Sequence, residues 1–132
     1  MKPEIKNAVI GGLAGTVVMT LMMMFVAAML GSMLGGYTMG MIAHIMMGVI
    51  IFPIGYVIAY DYLPGSPLIK GLSFGVVLWI AAVVMVMPMA GAGFMMSNIG
   101  GMTAVMAALM GHLVYGGLLG ALAGGESKAH AV

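Results

Sequence analysis

Four apolar runs divide the chain, at about 7–30, 39–60, 68–90 and 101–124. Each is long enough to cross a hydrocarbon layer, which takes roughly 20 apolar residues per helix. The pattern predicts an all-α membrane protein, a four-transmembrane-helix bundle occupying the whole chain as one domain, with 125–132 as a short polar tail. Between the second and third runs lies Asp61-Tyr-Leu-Pro-Gly-Ser-Pro67. Its Pro64-Gly65 ends one helix and Pro67 pre-sets the first turn of the next. The other two connections, Gly31 to Thr38 and Gly91 to Gly100, are glycine-rich and uncharged.

In this arrangement every charge falls on one side: Lys2, Glu4 and Lys6 before the first run, Asp61 and Lys70 around the middle loop, Glu126 and Lys128 after the fourth. Lysine marks the cytoplasmic side of a membrane protein. Both termini are therefore predicted to lie inside a bacterial inner (cytoplasmic) membrane, with the two uncharged loops outside. The first run is too long for the apolar core of a cleaved signal peptide and is read as a span.

The halves also look alike. Ile5-Lys6 leads into Gly11, Gly12 and Gly15, and Ile69-Lys70 leads into Gly71 and Gly75; the second helix of each half then carries His44-x-x-x-Gly48 or His112-x-x-x-Gly116. Two parallel-repeated helical hairpins follow, related by an axis along the membrane normal. Small residues four apart, at Gly11/Gly15, Gly71/Gly75 and Gly116/Gly120/Gly124, allow helix backbones to approach closely.

Composition removes most other classes. Hydrophobic residues are 64% and charged residues 5% of the chain, with a net charge of +1 and a mean hydropathy of +1.23. That balance offers no basic surface for nucleic acid. With no cysteine, disulfides, thiolate metal sites and thiol nucleophiles are excluded. No Asp, Glu, Lys or Arg lies deep in a span, where ion-coupled transport usually needs one. Ser32, Ser73 and Ser97 lack a nucleophile-elbow context, and no phosphate-cradling loop is present, so the chain does not read as an enzyme.

Several strings are distinctive: Leu63-Pro64-Gly65, Lys70-Gly71-x-x-Phe74-Gly75, Pro88-Met89-x-Gly91-Ala92-Gly93-Phe94 and His112-Leu113-Val114-Tyr115-Gly116. Through them the chain resembles a family of small bacterial four-span integral membrane proteins of unknown function, from the Lys6 region to Gly120. The resemblance implies the four-helix fold and brings no reaction, substrate or cofactor with it. The methionine load here is heavier than that family's pattern.

Two histidines, His44 and His112, lie within spans, whereas His130 is in the tail. At 1.5 Å per residue they sit roughly 24 Å and 18 Å from the cytoplasmic helix ends, both in the outer half. Spans two and four are diagonal in an up-down bundle, roughly 13 Å apart. That spacing admits haem b between the two imidazoles, with the glycine one turn on clearing room for the macrocycle. The plainer reading has each ring hydrogen-bonded to a carbonyl or to a hydroxyl such as Thr16, Thr20 or Tyr115, as interhelical glue.

The chain has 19 methionines, and beyond Met1 all lie between Met19 and Met47 or between Met85 and Met110, the outer halves and outer loops. Met102, Met106 and Met110 form one helical stripe, Met85 and Met89 repeat the spacing, and Met41 and Met47 flank His44. Thioethers are soft ligands suited to Cu(I); they are equally adaptable packing groups and partner surfaces. Pro53 and Pro88 should kink their helices and free carbonyls that neighbours must satisfy.

The favoured expectation is a non-enzymatic accessory or assembly subunit packing against other integral membrane subunits of a larger complex, for instance a respiratory one, or against copies of itself. The alternative is a metal or cofactor binder in the outer half, through the methionines for Cu(I) or His44 and His112 for haem b.

Overall fold

A computed structural model describes residues 2–22, 37–98 and 100–124. The end of the first predicted span, the outer loop to residue 36 with its methionines, and the tail with Glu126, Lys128 and His130 lie outside the described residues.

The described residues form four helical runs and no strand. Helix α1 covers Ile5–Met22. Helix α2 runs from Tyr37–Met46 through a π-helical turn, Met47–Ile51, into Phe52–Ala59 and a closing 3-10 turn, Tyr60–Tyr62. Helix α3 repeats that design, with Pro67–Ala81, a π turn at Ala82–Val86 and Met87–Met89. Helix α4 is a regular α-helix, Met102–Ala123. Met41–Tyr62, Pro67–Met89 and Met102–Ala123 are each long and apolar enough to cross a membrane, and α1 adds a shorter apolar stretch, Ile5–Thr20. The protein is an all-helical membrane protein whose apolar outer faces contact lipid.

Helix α4 is the spine, packed against α1 on one side and α3 on the other. Glycine makes both contacts close. A Cβ added to Gly71 would run into the Gly116 carbonyl oxygen and stand 2.7 Å from the Gly120 Cα; one added to Gly116 would stand 3.0 Å from the Gly75 Cα. On the other flank a Cβ at Gly11 would lie 2.9 Å from the Leu119 carbonyl oxygen. The glycine spacings read from the sequence are thus backbone-to-backbone seams, in which dispersion contacts replace the hydrophobic driving force that lipid removes. Helices α2 and α3 share no comparable seam, and touch chiefly near the charged end, where the Tyr56 and Phe74 rings meet edge-on at 5.5 Å.

That end is held by Lys70, which is 5% exposed. Its ammonium donates to the Tyr60 carbonyl at 2.8 Å and the Leu63 carbonyl at 2.6 Å, and lies 4.4 Å from the centroid of the Tyr60 ring. It therefore adds a second donor to the Tyr60 carbonyl, which already accepts from the Leu63 N–H at 3.3 Å, and caps the Leu63 carbonyl just past the end of α2. Lys2 pairs with Asp61 at 3.4 Å. The described charges gather at this one end.

The two π turns share one cause. A proline four or five residues on cannot donate to the helix, and its ring presses on the preceding turn. In α2 the Phe52 N–H bonds the Met47 carbonyl five residues back, and the next donor in that register would be Pro53. The Gly48 carbonyl is left without a helical partner, and the Tyr115 hydroxyl of α4 donates to it at 2.5 Å. This is the neighbour's rescue anticipated for the proline kinks. In α3 the Met87 N–H bonds the Ala82 carbonyl, and Pro88 denies Val83 a donor in the same way. Tyr115→Phe is expected to lower stability by about 1–2 kcal/mol, the penalty for leaving a buried carbonyl without a donor. A detergent-solubilised melting curve tests it, and an unshifted midpoint would mean that water or relaxation replaces the hydroxyl.

At the opposite end the connection from α3 to α4 is a built turn. Met95 and Met96 both take the left-handed conformation, with φ of 51° and 57°, at some cost to a residue with a side chain. Met96 is fully buried, and Asn98 ties the loop back through its backbone N–H to Ala92 and its side chain to the Gly91 carbonyl.

Candidate functional site

Where α2 and α3 part, the bundle encloses a cavity of about 280 Å³. Its wall takes residues from all four helices, with both π turns contributing through Met47, Gly48, Ala82 and Val86. His44 and His112 line the same space, as do Met19 and Met87. Ala81 and Val86 belong to the wall and are also exposed on the outer surface of α3. Among the described residues, the cavity therefore opens sideways from the bundle, beside α3.

Few polar groups face into it. The Nε2 of His44 and the hydroxyl of Thr20 are 3.0 Å apart, a hydrogen bond from α2 to α1. His112 turns Nδ1 back on its own helix, 2.7 Å from the Ala108 carbonyl. A carbonyl only accepts, so the His112 Nδ1 carries a hydrogen and donates it. Thr16, 4% exposed, also lines the cavity, but its hydroxyl is sealed against Gly48 and has no hydrogen-bond partner. Such a group is uncommon, since nearly all buried polar side chains are satisfied.

Of the residues singled out from the sequence, His44, His112 and Met47 are brought together here. Met41 is half-buried and is not part of the wall. Met85, Met89, Met102, Met106 and Met110 are all exposed, from 52% at Met106 to 68% at Met89. They sit on the outside of α3 and α4, so the cavity's own thioethers are Met19, Met47 and Met87. Among the described residues no three His, Cys, Asp or Glu side chains assemble into a metal-binding group.

The glycines one turn after each histidine do not open room for a macrocycle. The Thr16 side chain packs onto Gly48, and the backbone of Gly71 packs onto Gly116. A haem between both rings would also have to break the bond from Thr20 to His44. The residues fit a compact guest better than a porphyrin.

The sequence reading did not single out Met19 or Met87 for this space. Thr16 it named only as a bonding partner for histidine, a role that Thr20 fills for His44. The signal available was Thr16 itself, a hydroxyl four residues before Thr20 on the glycine-bearing face of α1.

A family model described as a family of unknown function (DUF6789) matches residues 3–130. No curated protein and no solved structure matches the chain.

Proposed function

The chain belongs to that family of unknown function, and since membership carries no activity with it, we propose a function from the cavity: non-enzymatic binding of one small, uncharged, lipid-soluble molecule within the membrane. The observation that carries this reading is an apolar space of about 280 Å³, open sideways and containing two imidazoles. Small-molecule sites are concave and mostly apolar, with a few convergent polar groups, and they often lie between helices of a bundle. In this reading the charged end faces the cytoplasm of a bacterial inner membrane by the lysine rule, which puts the cavity in the outer half.

The test is extraction. Wild-type protein and Ala82→Phe, whose ring would project into the space, are purified from native membranes and their bound small molecules quantified by mass spectrometry. A near-stoichiometric organic compound is expected in the wild type and absent from the variant; equal content in both would overturn the proposal. Metal analysis of the same samples reads out the other candidate occupant, Cu(I) held by His44, His112 and Met47. For that occupant the stripe is dispensable, so replacing Met102, Met106 and Met110 by leucine leaves any copper in place.

A second reading, an accessory subunit of a larger membrane complex, is compatible with the first and is supported by the exposed methionines of α3 and α4. Unbranched thioethers adapt to an irregular partner surface. It requires a stoichiometric companion subunit, or a second copy, in gently solubilised native membranes.

A further inference from the structure

We infer that the cavity is filled tail first: the part of the guest it holds is a bare hydrocarbon chain, belonging to an uncharged long-chain lipid whose polar end stays outside. The inference rests on the cavity reading above and names the class of molecule.

The polar side chains of the wall are already spent. Tyr115 donates its hydroxyl to the Gly48 carbonyl, and the Thr16 hydroxyl is sealed against Gly48. His44 bonds Thr20 through Nε2, and the His112 Nδ1 donates to Ala108 on its own helix. One further nitrogen on each imidazole is all that these side chains leave over. The other lining side chains are carbon and sulfur, from Met19, Met47, Phe52, Leu78, Val86 and Met87 among others. A hydroxyl or carbonyl drawn into such a wall loses its polar surroundings with little to bond in exchange. A hydrocarbon chain loses none.

Size sets the length of chain. An engineered cavity of about 150 Å³ with aliphatic walls accepts the six carbons of benzene. A space of about 280 Å³ therefore holds on the order of ten carbons. A chain already among lipids gains no hydrophobic energy by moving into protein. What it gains is dispersion contact with a wall that otherwise faces a void, and the flexible thioethers of Met19, Met47 and Met87 let that wall close on it.

Among the described residues, the opening at Ala81 and Val86 lies on the outer surface of α3. The chain enters from the bilayer, and the rest of the molecule remains there. No ion is in place to select a charged head. The described charges gather at the far end, where the Lys70 ammonium is committed to the Tyr60 and Leu63 carbonyls, and the sequences 23–36 and 90–101, between α1 and α2 and between α3 and α4, contain none. Recognition falls to the chain.

The experiment uses the full chain in lipid nanodiscs and native mass spectrometry with three probes: hexadecane, 1-hexadecanol and 1,16-hexadecanediol. The diol has a hydroxyl at each end and must carry one of them into the cavity. The alkane and the alcohol are expected to bind alike, and the diol at least about tenfold more weakly, the penalty for burying an unbonded hydroxyl. This comparison is made on the wild type and needs no variant. Ala82→Phe should abolish binding of all three, and Thr16→Val should leave the three affinities unchanged.

Equal binding of the diol and the alcohol, or a tenfold loss of the alcohol on Thr16→Val, would show that a polar group of the wall receives the guest; either result would overturn the tail-first assignment and leave the cavity reading standing. No binding of any probe, with the compounds extracted from Ala82→Phe indistinguishable from those of the wild type, would overturn both.

Discussion

Gly71→Leu is expected to cost at least about 3 kcal/mol, beyond the usual range for overpacking a core, and to leave little monodisperse protein after solubilisation. The reason is the nature of the obstacle. Any side chain at Gly71 meets the Gly116 carbonyl and the Gly120 Cα, at 2.7 Å for the latter, and both belong to helix backbone that has no rotamer to change. Separation of α3 from α4 is the only relief, and it would forfeit the contact along the whole seam. Gly55→Ala is the control, because its Cβ would meet only the tip of the Phe74 ring at an ordinary 3.7 Å. Size-exclusion profiles and thermal melts of the two variants decide the matter. Matching melts for Gly71→Leu and wild type would show that the seam yields.

Lys70→Met has the second largest expected effect, a loss of about 2–3 kcal/mol. The substitution keeps an unbranched stem of similar length and removes the two charge-assisted hydrogen bonds to the Tyr60 and Leu63 carbonyls, each of which is worth about 1.5–3 kcal/mol. Part is returned because the ammonium no longer has to be desolvated. The expected observation is a lowered melting midpoint with the helix content retained. A midpoint at or above that of the wild type would mean that desolvation outweighs the bonds. Replacing Lys2 instead should change little, since its pair with Asp61 is exposed on both sides and such pairs contribute about 0–1 kcal/mol.

The parts of the fold legible in the sequence were those marked by a residue with a strong physical consequence. Apolar run length marked the helices, Pro64-Gly65 and Pro67 marked the middle turn, and glycine spacing marked the seams. Pro53 implied a freed carbonyl, and Tyr115 proved to be the hydroxyl that takes it. Much less legible was which face of each helix looks inward. In a soluble helix, polar residues label the outside, but lipid accepts the same side chains as a core does. Met87 is buried while Met85 and Met89 are exposed, although nothing chemical separates the three. Here inside is labelled by small size, and methionine carries no such label.

The site was half legible for the same reason. His44 and His112 stood out because an imidazole within a span is rare, and they do share one cavity. The stripe of Met102, Met106 and Met110 was regular, yet regularity says only that three side chains share a face. It does not say that the face is the outer one. Lys70 was read as a marker of sidedness; its burial against the carbonyl end of α2 depended on how the Pro64-Gly65 turn folds back, which spacing does not encode.

Among the described residues, close glycine contacts join α2 to α1, α1 to α4 and α4 to α3 but not α2 to α3, and this makes the stiffness unequal. From α1 through α4 to α3, backbone rests on backbone, and displacement meets hard repulsion within a few tenths of an ångström. Across the gap from α2 to α3 there is a void where a seam would be. A change in the width of that gap is therefore the deformation that this packing resists least, and it is the one that alters the volume open to a guest.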